Sequence, residues 1–167
     1  MENNIVNVML WGEEVGKLYW DERNRRAIFN YHPDFVKKGL EIAPLTASVK
    51  GGAAKGMPIS GNKDKLYQGL PPFLADSLPD RWGNMVFDRW AAQNRIPKRM
   101  LTPVDKLSFI GKRGMGAFEF VPATPGLESS SALQIDSLYQ LSRRIFEERE
   151  EISVQDDEAL QLQSIYE

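Results

Sequence analysis

Two stretches of the sequence, Gly69–Trp90 and Leu107–Val121, constrain the fold more than any other feature. The first combines five prolines and glycines with four large aromatic residues, which is typical of a rigid turn that leads into a helix. The second places three glycines, Gly111, Gly114 and Gly116, around two cations. Because neither stretch has the residues of a catalytic centre, together they predict a module for recognition and assembly.

The composition narrows the class of protein. The 167 residues are 42% hydrophobic and 26% charged, which predicts a globular protein of one domain, or of one domain with a partial second. A net charge of −2 gives no electrostatic reason to expect a nucleic acid as the main partner, so direct nucleic-acid binding is not expected. Because cysteine is absent, disulfides, thiolate zinc sites and cysteine nucleophiles are excluded.

No targeting or membrane segment can be recognised. The N-terminus lacks the basic region of a secretory signal, and no apolar run approaches the length of a membrane helix. We therefore expect a cytoplasmic protein without a membrane partner.

The first thirty residues predict an antiparallel sheet. Ile5–Trp11 and Val15–Trp20 are β-rich runs separated by a short turn, as in a hairpin. Arg26–Tyr31 is the third predicted strand, and Phe118–Val121, ended by Pro122, is another.

The segment Gly51–Lys65 separates the strands from the helical half. It is rich in glycine and lysine and has no periodicity, so it predicts a mobile surface loop.

A helix is predicted over Asp80–Asn94. Trp82, Val86 and Trp90 recur every four residues. Before them, Ser77 resembles an N-cap, Pro79 a proline inside the first turn and Asp80 an acid at the positive end of the helix dipole. We expect this apolar stripe to belong to the core and the helix to cover the sheet. The alternative for the stripe is an interface groove, where tryptophan is enriched.

Together these elements predict an α+β fold with a small, mainly antiparallel N-terminal sheet packed with several helices. A second short helix begins at Thr102 and Pro103 and ends near Gly111. We expect a domain over residues 1–122, a polar linker over 123–131 and a helical segment over 132–167.

The glycines between Gly111 and Gly116 could cradle an anion with Lys112 and Arg113. However, their spacing is the inverse of a dinucleotide loop, and they lie between a helix and a strand. We interpret Gly111, Gly114 and Gly116 as a structural turn. An unrelated small-molecule enzyme that uses this turn is the weakest alternative.

The remaining polar residues form no recognisable catalytic or metal site. His32 is the only histidine, so it cannot build a multi-histidine metal site. Asp76 and Asp80 are four residues apart, but Pro79 interrupts the helical geometry that would pair them. The sequence therefore predicts no catalytic, cofactor or metal residues.

The order of these motifs resembles the N-terminal region of HipA-type serine/threonine kinases, the toxins of bacterial HipBA toxin–antitoxin modules. Leu74–Asp80, LADSLPD, resembles the family motif F-x-N-L-L-P-D/E, and Phe109–Pro122, FIGKRGMGAFEFVP, resembles I-G-x-x-x-x-G-A-x-x-x-x-P. The resemblance spans most of Val6–Pro122. One departure is Ser77, where the family usually has leucine.

The resemblance implies that the nucleotide-covering loop, the ATP-binding lysine, the catalytic aspartate and the metal-binding residues of such a kinase would follow Glu167. Phosphoryl transfer depends on those parts. We therefore expect no catalysis and no cofactor in this chain alone, with ATP and magnesium needed only by a complete kinase.

The resemblance leaves two functions open. The first is a non-catalytic N-terminal domain that docks on the kinase core, on a second kinase subunit or on a HipB-like antitoxin. The alternative is a free-standing regulatory protein that binds a separate, shortened HipA-like kinase. The amphipathic segment Asp156–Tyr166, which has few partners within this sequence, favours the first.

The candidate partner-binding residues lie in and beside a proline-stiffened turn. Such a turn presents its side chains at little further entropy cost. The predicted residues are Phe73, Asp76, Leu78, Pro79, Asp80 and Arg81.

Overall fold

The computed structural model describes residues 5–114 and 116–123. The predicted linker beyond residue 123 and the helical segment over 132–167 lie outside the described residues.

Five strands form one antiparallel sheet in the order β4-β3-β2-β1-β5. They are β1 (Val6–Leu10), β2 (Glu13–Asp21), β3 (Arg26–Tyr31), β4 (Ile59–Ser60) and β5 (Phe118–Pro122). The first strand lies beside the last, with Val6 opposite Pro122 and Leu10 opposite Phe118. The predicted α+β fold with an antiparallel N-terminal sheet is confirmed.

Four α-helices complete the described part: α1 (Pro33–Lys38), α2 (Pro72–Ala75), α3 (Arg81–Gln93) and α4 (Pro103–Ile110). His32 precedes α1 and accepts a hydrogen bond on Nδ1 from the Asp34 backbone N–H, 3.3 Å away. The only histidine of the chain therefore acts as a helix cap.

The main core lies against one face of the sheet. Val6, Leu18 and Phe29 stand opposite one another on β1, β2 and β3 and are fully buried. Their cover comes from Leu74 of α2 and from Val104 and Leu107 of α4. Three strands thus bury a continuous apolar row, which is the unit that stabilises a sheet.

The prediction that the Asp80–Asn94 helix covers the sheet is wrong. No residue of α3 belongs to the core cluster that fills the sheet face. The shorter helix α4 takes that position because two of its apolar residues, Val104 and Leu107, are spaced to face the strands.

The glycine- and lysine-rich segment Gly51–Lys65 contains more regular structure than its composition suggests. It includes a 3-10 turn at Ala53–Lys55 and the two-residue strand β4, whose Ile59 stands opposite Phe29. The pairing of Ile59 with Phe29 therefore adds a short edge strand to the sheet.

Candidate docking surface

The turn between α2 and α3 is fixed by backbone hydrogen bonds and by packing on the core. The Ser77 N–H donates to the Leu74 carbonyl at 3.1 Å, and the Leu78 N–H donates to the Ala75 carbonyl at 3.0 Å. Leu74 is fully buried, and half-buried Leu78 packs against the same core. These contacts fix the backbone from which the following residues project.

Phe73 is half-buried and packs on the core. Its ring meets Phe29 edge-on at 5.3 Å between centroids and Phe118 at 5.9 Å. Leu78 also contacts the core. Of the six predicted partner-binding residues, these two therefore support the turn from inside, because α2 begins directly from the buried Pro71 and turns its apolar side to the sheet.

Asp80 begins α3. Its Oδ1 accepts a hydrogen bond from the Gly83 N–H at 2.7 Å, as an N-cap carboxylate does. The Asn84 side-chain amide donates to the carbonyls of Pro79 and Asp80 at 2.7 and 2.8 Å. The start of the helix is thus fixed twice, while the Asp80 side chain stays exposed.

The exposed residues of the turn form a small surface that combines charge with an aromatic ring. Asp76, Asp80, Arg81 and Trp82 are all exposed, with Trp82 retaining 39% of its surface. We refer to these four residues as the Asp76–Trp82 surface. It keeps three of the six predicted partner-binding residues and adds a tryptophan that the sequence placed in the core.

The position of Trp82 corrects that prediction. The buried side chains of α3 are Val86, Phe87 and Ala91. Because an α-helix rotates by 100° per residue, the buried side chains lie mainly on a different side of α3 from Trp82. Trp82 therefore lies at the edge of the buried face. Val86 is 4% exposed, and Trp90 is half-buried.

Phe87 and Phe109 are buried residues that the sequence reading missed. The rings of Phe87 and Trp90 contact Phe109 of α4 at 5.1 and 5.0 Å between centroids. Lys106 also donates to the Asn84 side-chain oxygen at 2.7 Å. The pair Phe87 and Ala91, four residues apart, was the available signal that α3 buries a different face.

The turn after α4 begins at Gly111, whose φ is 58°. A non-glycine residue is strained in this left-handed region. Gly111 donates to the Leu107 carbonyl at 3.0 Å and accepts from the Phe120 N–H at 3.1 Å. It thereby ends the helix and joins it to β5.

The two other glycines of this turn lie close to their surroundings. A Cβ on Gly114 would lie 3.2 Å from Cγ2 of Ile110. A Cβ on Gly116 would lie 3.8 Å from Oγ of Ser77. The glycine turn and the proline turn, which are about forty residues apart in sequence, therefore meet in space.

The two cations of the glycine turn are directed at protein groups. The Arg113 guanidinium donates to the Phe109 carbonyl and lies 5.8 Å from the centre of that ring. Burial lowers the pKa of Arg113. Lys112 lies 4.0 Å from the Glu119 carboxylate. Both cations of the described part of the turn therefore approach groups of the protein itself.

Within residues 5–114 and 116–123, no three histidine or acidic side chains come together to hold a metal ion. The helices of this described part include none that is both long and apolar enough to cross a membrane.

The comparison with protein families gives a match to this region. A family model described as HipA N-terminal domain matches residues 6–121, which is more than half of the chain. The matched range contains the sheet except for Pro122, the Asp76–Trp82 surface and the glycine turn. No curated protein matches the chain.

Proposed function

Because the chain belongs to the HipA N-terminal domain family, we propose that it is the non-catalytic N-terminal domain of a HipA-like serine/threonine kinase and docks on a protein partner. The partner is the kinase core, a second kinase subunit or a HipB-like antitoxin. ATP and magnesium belong to the kinase core. The family match carries this proposal.

The Asp76–Trp82 surface is the proposed contact. Protein interfaces concentrate their binding energy in tryptophan, tyrosine and arginine side chains surrounded by polar groups. Trp82 and Arg81 are adjacent and exposed, and two carboxylates, Asp76 and Asp80, lie near them in sequence. The combination supports a partner surface with an apolar pocket and charges of both signs.

The rigidity of the turn further supports docking. The Asp80 cap, the Asn84 side chain and buried Leu74 fix the start of α3 before any partner arrives. A preformed surface loses little conformational entropy on association, so more of the contact energy contributes to affinity.

The proposal is tested by retention of the chain on an immobilised HipA-like kinase core or HipB-like antitoxin. Trp82→Ala should weaken binding by about 2 kcal/mol, roughly thirtyfold, if Trp82 is the anchor. Arg81→Ala should weaken it by a smaller factor because Arg81 supplies charge at the edge of the surface.

Matched controls remove similar side chains elsewhere. Met57→Ala removes another exposed apolar residue, and Lys50→Ala removes another exposed cation. Both should bind as the unaltered chain does. Full retention of the Trp82→Ala, Arg81→Ala double variant on both partners would show that docking uses another surface.

A further inference from the structure

A broad cleft of about 960 Å³ lies where three separate segments of the chain meet. The turn between β2 and β3 contributes residues 22–25. Residues between Lys63 and Gly69 line a second part, and residues between Arg99 and Pro103 line a third. The cleft lies at the start of α4, whereas the glycine turn beside the Asp76–Trp82 surface follows its end.

The cleft has a charge opposite to that of the whole chain. Two acids, Glu22 and Asp64, face five cations, an excess of three positive charges, whereas the chain carries a net charge of −2. The cations are Arg23, Arg25, Lys63, Lys65 and Arg99. The positive charge is therefore concentrated in one place, which an average over the sequence conceals.

In the part of the chain that the structure describes, none of these five cations forms an ion pair, although Lys38 pairs with Glu13 at 2.6 Å and Lys98 with Asp88 at 2.7 Å. The Asp64 carboxylate accepts from the Leu66 N–H at 2.9 Å and so holds the loop. Five cations without an acidic partner among the described residues repel one another, and a bound anion would relieve this repulsion.

The backbone that carries these cations is fixed to the sheet. The Gly61 N–H donates to the Ala27 carbonyl at 2.8 Å, and the Ala27 N–H donates to the Gly69 carbonyl at 2.8 Å. Gly61 packs so closely on Gly69 that a Cβ would overlap the Gly69 carbonyl oxygen. Both ends of the loop that bears Lys63 and Lys65 are thus held against β3.

We infer that this cleft binds the phosphodiester backbone of a nucleic acid, without sequence preference. Lysine and arginine neutralise successive phosphates and release their counterions, which is the main source of affinity in such binding. Arginine also matches a phosphate group with two parallel N–H donors, and three of the five cations are arginines. The exposed amide of Gln68 adds a neutral donor along the same lining.

An acidic protein segment is the competing ligand, and the lining fits it less well. Exposed ion pairs between protein groups contribute at most about 1 kcal/mol each, so an acidic peptide also needs an apolar anchor. The apolar members of the lining, Trp20, Leu101 and Pro103, are half-buried, which leaves only part of each side chain to serve as such an anchor. Counterion release from a nucleic acid needs no such anchor.

The test measures binding of the full chain to fluorescein-labelled nucleic acid by fluorescence anisotropy. The probes are a DNA duplex of about 20 base pairs and a single-stranded RNA of equal length, at salt concentrations between about 50 and 200 mM. At least one probe should bind, and its affinity should fall several hundredfold over this range if about five phosphates are contacted.

Two charge-matched triple variants test whether the nucleic acid binds in the cleft. Arg23→Ala, Lys63→Ala and Arg99→Ala combined should weaken binding at least tenfold at low salt and reduce the slope of log affinity against log salt by about three. Lys17→Ala, Lys50→Ala and Lys55→Ala combined remove the same charge outside the cleft and should leave the slope unchanged. Circular dichroism checks that both variants are folded.

Three outcomes would overturn the inference. The first is that neither probe binds at low salt. The second is that both triple variants lose the same affinity, which would show that binding reflects overall charge alone. The third is that polyglutamate binds more tightly than either nucleic acid and loses affinity in the cleft variant, which would assign the cleft to an acidic protein segment.

Discussion

Phe73 and Phe118 meet edge-on with 5.9 Å between their ring centroids, and this contact joins the two most informative stretches of the sequence. Phe73 belongs to α2, at the proline turn, and Phe118 begins β5, directly after the glycine turn. The glycine turn and the proline turn therefore form one structural unit supported by the same core.

Phe73→Ala should destabilise the fold rather than affect a partner directly. Removal of the ring leaves a cavity between Phe29 and Phe118, at a cost of about 3 kcal/mol. Urea denaturation measures the change, and Phe73→Leu should recover at least half of it. A stable Phe73→Ala variant with impaired partner binding would instead favour a direct contact.

Trp82→Ala should change the free energy of unfolding by no more than about 1 kcal/mol because Trp82 stands at the rim of α3. Phe87→Ala on the same helix should cost about 3–5 kcal/mol because Phe87 is fully buried. The pair is compared by thermal and urea unfolding. Equal losses would place Trp82 in the core after all.

Asp80→Ala should lower stability by about 1 kcal/mol through loss of the hydrogen bond to the Gly83 N–H. Asp80→Asn retains a capping oxygen and should be close to the unaltered chain in stability. Comparison of the two by urea denaturation and partner retention therefore separates capping from charge. If Asp80→Asn binds the partner weakly but unfolds normally, the carboxylate itself contributes to docking.

Tyr31 should make stability depend on alkaline pH. Burial, followed by the nearby Glu41 carboxylate, raises its pKa from 10.0 to about 12, and its hydroxyl donates to the Ala47 carbonyl at 2.6 Å. The folded state favours the neutral phenol, so this contribution is complete below pH 10 and is lost as the pH rises towards about 12. Urea denaturation of the unaltered chain and Tyr31→Phe across this range measures it. The variant should lack this part of the alkaline loss.

Gly61→Ala should destabilise the loop that forms one part of the cationic cleft. An added Cβ would overlap the Gly69 carbonyl oxygen and disturb the hydrogen bonds to Ala27. Hydrogen exchange of the Gly61 and Ala27 amides should accelerate in the variant. Gly51→Ala is a useful contrast because a Cβ there meets open space, although its φ of 67° adds local strain.

The sequence predicted local structure well because strands, caps and turns depend mainly on residues that are neighbours in the chain. The predicted strand Arg26–Tyr31 is confirmed, and the predicted helix Asp80–Asn94 differs from α3 by one residue at each end. The fold class followed from these elements and from the motifs that resemble the family. The short strand β4 and the short helices α1 and α2 were missed because so few residues give no readable period.

The packing of segments that are distant in sequence was harder to predict. Which helix covers the sheet depends on the packing of Val104 and Leu107, and the inward position of Phe73 depends on β5, more than forty residues later. The cationic cleft was also hidden because Arg23, Lys63 and Arg99 come from three distant segments. Their proximity is a property of the folded chain alone.

The pairing of β1 with β5 has a consequence for the order of folding. The sheet is closed by contacts between Val6 and Pro122 and between Leu10 and Phe118, which are separated by more than a hundred residues. Such pairings require closure of a long loop, and this requirement slows folding. During synthesis, β1 can pair with β2 at once but must wait for residues 118–122 to leave the ribosome. Until then its second edge is open to other chains, and aggregation competes with completion of the sheet.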